Sequence, residues 1–192
     1  MPELPEVETT RRGIEPHIVG KAIKSVVVRQ PSLRWPVSPE LSQVMTGNRV
    51  TGISRRAKYL LFSTNTGRMM VHLGMSGSLR ITNGSTALKK HDHIDIVFDD
   101  GTVLRYHDPR RFGSVFWIPE GSSHELIDSL GPEPLSDEFN GSYLYELSRR
   151  RKLAIKLFIM NSTVVVGVGN IYANEALHAA GIRPDRLAGR VS

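Results

Sequence analysis

A hairpin pattern in the middle of the chain constrains the fold more than any other feature. Residues 93–98 alternate apolar and polar side chains, so every second side chain falls on one face of an extended strand. Asp99-Asp100-Gly101 follows, and an Asp-Gly pair supplies the positive φ angles of a tight turn. Residues 102–106 return as a second strand. The pattern predicts a β-hairpin whose apolar side chains share one face.

Further short runs of β-branched or apolar residues surround this hairpin. They lie at residues 22–29, 49–54, 59–62, 69–73 and 114–118, and Asn65-Thr66-Gly67 separates two of them as a turn. Short strands with turn signals between them are typical of a β-sandwich or a barrel. The sequence therefore predicts a β-rich region that begins after a short N-terminal helix.

The sequence changes character at residues 131–136. Two prolines in three residues form a stiff connector, and Ser136-Asp137-Glu138 is typical of a helix start. Helices are predicted at residues 142–152, 154–161 and 171–180, the last ending at Gly181. We therefore predict an α+β chain with two domains. Residues 1–131 form an N-terminal helix with a β-sandwich, and residues 132–192 form a helical domain.

The composition limits the class of protein. The 192 residues include 25 Lys and Arg against 19 Asp and Glu, a balance that favours polyanionic partners without requiring nucleic acid. No apolar run approaches the ~20 residues of a membrane span, and the N-terminus is acidic where a secretory signal is basic. We therefore expect a cytoplasmic protein without membrane contact. The absence of cysteine excludes disulfides and thiolate metal sites.

The first residues, Met1-Pro2-Glu3, suggest covalent chemistry. Once Met1 is removed, Pro2 carries a free secondary amine, which can attack an aldehyde-like carbon and form an iminium. A terminal amine titrates below a lysine, and the positive end of a helix starting here lowers its pKa further. The same residues also suit an ordinary helix start, with a stop at Gly13. Both interpretations stay open.

Basic groups recur in both predicted domains, at Arg55-Arg56-Lys58, Lys89-Lys90-His91, Arg110-Arg111 and Arg149-Arg150-Arg151-Lys152. Several cations along one path are what phosphate binding requires, although any one group also fits a solvated surface.

Two loops and a pair of glycines also carry residues of types that bind nucleic acid. Met75 is either core filler or a wedge between base pairs, and Phe112 can stack beside arginines. Gly167-Val168-Gly169 precedes a helix that Asn170 caps, an arrangement that suits a phosphate or an ordinary turn.

Seven motifs together resemble one family. They are PELPEVE at the start, RRAKYLL at 55–61, HLGMSGSLR at 72–80, KHDH at 90–93, DPRRFG at 108–113, LGPEPL at 130–135 and GVGNIYANE at 167–175. In this order they are similar to bacterial formamidopyrimidine-DNA glycosylase, which removes oxidised purines such as 8-oxoguanine. The sister family, endonuclease VIII, usually has Gly where this chain has Leu4.

The resemblance implies a base-excision repair DNA glycosylase and AP lyase, a monomer that binds damaged double-stranded DNA between a β-sandwich domain and a helix-two-turn-helix domain. It assigns Pro2 as the nucleophile at C1′, Glu3 as the proton donor that opens the sugar, and Lys58 as the proton donor in β-elimination. Glu6 supports this site. The DNA-binding residues that the resemblance implies are His91, Arg110, Arg151, Asn170, Met75 and Phe112, of which Met75, Arg110 and Phe112 fill the gap left by the flipped nucleotide.

Two departures from the family pattern lead to further expectations. Family members continue into a zinc finger of four cysteines, whereas this chain ends at Ser192 without any cysteine. We therefore expect an incomplete helix-two-turn-helix domain, no metal, no cofactor and weaker DNA binding. Asn161 also stands where the family often has Asp. Two rival functions stay open: a non-catalytic DNA-binding remnant of the family, and a general basic nucleic-acid-binding or scaffold module.

Overall fold

The computed structural model describes residues 2–192, which form two compact units. The first unit ends at His124 and the second runs from Glu125 to Ser192. This division falls before the proline-containing connector at residues 131–136, which therefore belongs to the second unit.

Two antiparallel four-stranded sheets build the first unit. The strands are β1 (Ile23–Val28), β2 (Gly52–Arg56), β3 (Tyr59–Ser63), β4 (Gly67–His72), β5 (Ser78–Asn83), β6 (Asp92–Phe98), β7 (Thr102–His107) and β8 (Ser114–Pro119). Their order is β1-β6-β7-β5 in one sheet and β2-β3-β4-β8 in the other. Apolar side chains of both sheets, such as Phe98 and Phe62, share one buried core. The predicted β-sandwich is confirmed.

The predicted hairpin is confirmed in register as well as in position. Ile96 lies opposite Leu104 and Val97 opposite Val103, with Gly101 at φ +86° in the turn. Strand β5 was not predicted, although Leu79 and Ile81 alternate with polar residues along it. Every side chain of β5 is half-buried or exposed, and Leu79 and Ile81 pack against the core while only partly buried.

Two helices belong to the first unit, α1 (Leu4–Ile18) and α2 (Leu41–Met45). The predicted stop of α1 at Gly13 is wrong. The helix continues because Ile14 and Ile18 are buried on the same face as Val7, and because Arg11 pairs with Glu15 across one turn at 2.8 Å. Helix α2 was not predicted, since its five residues are too few to show a helical period.

The second unit is helical. It contains α3 (Glu125–Asp128), α4 (Gly141–Ser148), α5 (Ile155–Ile159), α6 (Asn170–Ala179) and a 3₁₀ turn at Ala188–Arg190. Phe158, Val164, Ala173 and Leu177 are among its buried core residues. The three predicted helices are present; two of them are shorter than predicted, and α6 is shifted by one residue. Within residues 2–192, no helix is both long enough and apolar enough to cross a membrane.

Two details of the predicted helix starts are wrong in this unit. Ser136-Asp137-Glu138 begins no helix. Helix α4 begins at Gly141, one residue before its predicted limit, and the side chain of Asn140 accepts a hydrogen bond from the Tyr143 N–H at 2.9 Å and caps the first turn. Helix α6 has Gly169 as its N-cap, so Asn170 is the first helical residue and not the cap.

Candidate active site and nucleic-acid interface

The first turn of α1 fixes two carboxylates beside Pro2. Glu3 is the N-cap residue: its side chain accepts from the Glu6 N–H, and the Glu6 carboxylate accepts from the Glu3 N–H at 2.9 Å. This reciprocal pair is a capping box. Glu3 is only 3% exposed, whereas Pro2 is half-buried. The helix start predicted here is confirmed, and the nucleophilic role of Pro2 stays a prediction.

Lys58 stands in the tight turn between β2 and β3. The turn holds Ala57 at φ +52°, and the Arg55 guanidinium donates to the Ala57 carbonyl at 2.9 Å. Burial lowers the pKa of Lys58, while the negative charges of Glu3 and Glu6 act on the same pKa in the opposite direction. Lys58 therefore shares its electrostatic environment with both carboxylates, and a lowered pKa eases proton transfer by an amine.

His72 also belongs to this site, although the sequence analysis did not single it out. It lies at the end of β4 opposite Tyr59, and the two ring centroids are 4.8 Å apart. Burial, together with the positive charges of Lys58 and Arg34, lowers the pKa of His72 to about 4. Its Nδ1 accepts from the Gly74 N–H at 3.0 Å, so the neutral imidazole carries its proton on Nε2. No local sequence pattern marks His72, because its place beside Lys58 depends on the register of β3 against β4.

Two loops present the apolar side chains that the resemblance assigns to DNA. Met75 lies between β4 and β5, and Phe112 lies between β7 and β8; they are 42% and 43% exposed. The core-filler interpretation of Met75 is therefore wrong. The Arg110 guanidinium lies over the Phe112 ring, 4.7 Å from its centroid. Gly74, at φ +62°, brings the two loops together, because a Cβ there would overlap the Phe112 backbone.

His91 lies close to the same loops. Its carbonyl accepts from the Asp108 N–H at 3.1 Å, and its ring lies 6.1 Å from the ring of His93 and 6.0 Å from that of His107. His93 is buried, with its Nε2 2.8 Å from the Asp108 carbonyl oxygen. The structure thus brings His91, Arg110, Met75 and Phe112 onto one framework at the ends of β6 and β7.

The other two predicted DNA-binding residues, Arg151 and Asn170, are exposed in the second unit. Arg151 lines a groove of about 500 Å³ together with Arg150, Lys152, Asn161 and Thr163. The Asn161 side chain accepts from the Thr163 N–H at 3.0 Å and from its hydroxyl at 2.9 Å, so it holds the turn after α5. Asn170 stands in the first turn of α6, after the left-handed Gly167.

The four-cysteine zinc site of the family has no counterpart in these 192 residues, which contain no cysteine. Among residues 2–192, no three His, Asp or Glu side chains are placed to hold a metal ion. The residues of this part of the chain therefore do not fit that group.

Comparison with known proteins identifies the family of the chain. Family models for the formamidopyrimidine-DNA glycosylase N-terminal domain and H2TH domain match residues 1–115 and 130–192. A formamidopyrimidine-DNA glycosylase of Thioalkalivibrio sulfidiphilus is 58% identical over 194 residues, which cover all of this chain and 71% of that protein. The Marinomonas sp. protein of the same name is 59% identical over 194 residues, with the same coverage of 100% and 71%.

Solved structures agree with the family models. Lactococcus lactis Fpg, non-covalently bound to DNA with an AP site, matches with a TM-score of 0.91 at 35% identity, over 99% of this chain and 74% of that one. A structure of MutM in complex with carbocyclic 8-oxo-G containing DNA matches with a TM-score of 0.92 at 36% identity, over 100% of this chain and 72% of that one. The chain belongs to the formamidopyrimidine-DNA glycosylase family.

Proposed function

We propose that this protein is a base-excision repair DNA glycosylase with AP lyase activity, which removes oxidised purines such as 8-oxoguanine from double-stranded DNA. The observation that carries the proposal is the arrangement at the start of α1. A nearly inaccessible carboxylate, Glu3, follows Pro2 directly and acts on the pKa of Lys58. An acid, an amine and a terminal proline in one electrostatic environment suit Schiff-base chemistry.

The first step releases the base. With Met1 removed, the Pro2 amine attacks C1′ of the damaged nucleoside, and the bond from C1′ to the base breaks. The electron pair leaves on the base, which takes a proton from water. The Pro2 nitrogen, now bonded to C1′, gives its proton to the Glu3 carboxylate. Glu3 passes this proton to the ring oxygen O4′, the sugar opens, and an iminium joins Pro2 to C1′. Burial of Glu3 excludes bulk water from this proton transfer.

The second step cleaves the strand. The iminium acidifies the C2′ protons. Water removes one of them, the bond from C3′ to its oxygen breaks, and the electron pair leaves on that oxygen with the 3′ phosphate. In this β-elimination the Lys58 ammonium donates a proton to the departing phosphate, and Lys58 also contacts a phosphate near the lesion. Water then hydrolyses the iminium and returns the free Pro2 amine. The lowered pKa of Lys58 brings its proton transfer closer to neutral pH.

Damaged DNA must also be opened and held. Attack at C1′ requires the nucleotide to leave the base stack, which costs a few kcal/mol. Met75, Arg110 and Phe112 occupy the space it leaves, since they are the exposed side chains of two adjoining loops. His91, Arg151 and Asn170 contact the phosphate backbone, which gives affinity without reading sequence.

Trapping with borohydride tests the proposal, because reduction fixes an iminium as a stable protein–DNA adduct. We expect an adduct when protein lacking Met1 is mixed with a duplex containing 8-oxoguanine, and a much lower yield with Pro2→Gly, which replaces the secondary amine by a primary one. Pro39→Gly, an exposed proline before α2, is the matched control and should trap like the unsubstituted protein. Binding of the duplex with no adduct from the unsubstituted protein would favour the non-catalytic remnant.

A further inference from the structure

One hydroxyl joins the two loops that carry Met75 and Phe112. Ser76 follows Met75 directly, and its Oγ donates to Asp108 Oδ1 at 2.6 Å. The same Oγ accepts from the Arg110 N–H at 3.2 Å. Neither bond belongs to the chemistry proposed at Pro2 and Lys58. The contact links the β4–β5 loop to the β7–β8 loop through side chains.

The acceptor of this bond is itself immobile. Asp108 is completely buried. Its second carboxylate oxygen accepts from the Tyr106 hydroxyl at 3.0 Å and from the Gly113 N–H at 2.9 Å. Burial, together with the neighbouring Asp108 carboxylate, raises the pKa of Tyr106, so its phenol stays protonated and continues to donate. Ser76 is therefore fastened to a fixed point at the end of β7.

We propose that Ser76 is a positioning residue: with Asp108 it forms a latch that holds Met75, Arg110 and Phe112 in the arrangement in which they enter DNA. The inference rests on the proposed function of these three side chains as occupants of the space left by a flipped nucleotide. A latch made before binding removes the need to order two loops when DNA binds. It therefore assists extrusion of the damaged nucleotide and not the bond-breaking steps.

The strength of the latch follows from its chemistry. A short hydroxyl-to-carboxylate hydrogen bond is charge-assisted. Removing the hydroxyl while its buried acceptor remains should lower the equilibrium constant for the latched arrangement of the loops by about tenfold to a hundredfold. The loss should appear only when the substrate must be extruded from a paired duplex. A strand that is already single and abasic needs no such work.

The test compares two substrates under single-turnover conditions with excess protein. Ser76→Ala should release 8-oxoguanine from a duplex at least tenfold more slowly than the unsubstituted protein, and should cleave a single-stranded abasic oligonucleotide within twofold of it. Ser76→Thr keeps the hydroxyl and should recover most of the duplex rate. Ser85→Ala is the control, since it removes another hydrogen-bonded serine hydroxyl, 2.7 Å from Asn83 Oδ1, from an exposed turn.

Amide hydrogen exchange in the protein without DNA gives a second readout that does not depend on activity. Ser76→Ala should speed exchange at the Arg110 N–H and in residues 108–113 at least tenfold, and Ser85→Ala should leave these rates unchanged. Unchanged exchange in Ser76→Ala, or an equal loss of rate on both substrates, would overturn the latch. Inactivity of the unsubstituted protein on both substrates would instead refute the proposed function. Hydrogen exchange would then be the measurement that tests the latch.

Discussion

The close approach of the two loops at Gly74 predicts a graded loss of stability in three glycine variants. Gly74 has φ +62°, and a Cβ there would overlap the backbone of Phe112 and Gly113. Gly47 has φ +85° but open space around the position of a Cβ. Gly84 has neither constraint. The three alanine variants therefore separate the cost of a left-handed conformation from the cost of overlap with a neighbouring backbone.

The magnitudes follow from these differences. We expect Gly84→Ala to change the free energy of unfolding by no more than about 0.5 kcal/mol, as for other exposed substitutions. Gly47→Ala should cost about 1–2 kcal/mol, the penalty of placing an L side chain in the left-handed region. Gly74→Ala should cost that amount and about 1–3 kcal/mol more, because the neighbouring backbone must move to relieve the overlap.

Urea unfolding followed by tryptophan fluorescence measures the stability of the first unit, to which these costs apply. Both tryptophans, Trp35 and Trp117, lie in the first unit, so the signal reports the unit that contains all three glycines. The slope of free energy against urea should be the same in all variants, which shows that the midpoints report stability. A Gly74→Ala cost equal to that of Gly47→Ala would refute the close packing of the two loops.

Three other predictions concern charge. The hydrogen bond from Arg11 lowers the pKa of Glu8 to about 2. Glu8 therefore contributes stability above pH ~4.5, and this contribution is lost as the pH falls towards 2. In acid unfolding curves, Glu8→Gln should remove up to about 3 kcal/mol of this pH dependence. The pKa of His72 is lowered to about 4. The contribution of neutral His72 to folding stability is therefore complete above its unfolded pKa of ~6.5 and is lost as the pH falls towards 4. NMR titration should find its ring neutral at pH 5.5, and a ring already charged at that pH would contradict the described burial. Arg151→Ala should weaken binding to all duplexes alike and should reduce the slope of log affinity against log salt by about one; a change confined to damaged DNA would contradict a phosphate contact.

Local sequence signals predicted the strands well. The hairpin at residues 92–107 depends on neighbouring residues alone, because alternation sets the faces and Asp100-Gly101 sets the turn. Pro2, Glu3 and Lys58 were predicted as site residues from family motifs, and the structure shows that Glu3 and Lys58 interact electrostatically. No local pattern relates these residues, since they come from a helix terminus and a turn between two strands.

Several of the failed predictions have a common physical cause, namely contacts between distant parts of the chain. Glycine at position 13 is a plausible helix stop, but burial of Ile14 and Ile18 against the sheets favours a longer helix. Strand β5 has only two apolar residues, Leu79 and Ile81, and is defined by pairing with β7, such as Ile81 opposite Leu104. The positions of His72 and Ser76 matter through strand register and a loop contact, neither of which a single sequence displays.

Buried charges behind His91 also depend on contacts between distant parts of the chain. Arg105 and Asp95 are both about 5% exposed and form two hydrogen bonds, of 2.8 and 2.9 Å, while Asp92 binds His107 at 2.8 Å. A buried ion pair of this kind adds little net stability over apolar residues, because desolvation offsets most of the attraction. Its geometry, however, admits only one register of β6 against β7, since a shift by one residue would leave charges buried without partners. That register places His91 and Asp108 at the same edge of the sheet, where the loops begin. The main effect of this network is therefore to fix the positions of His91 and Asp108, and its effect on the stability of the fold is small.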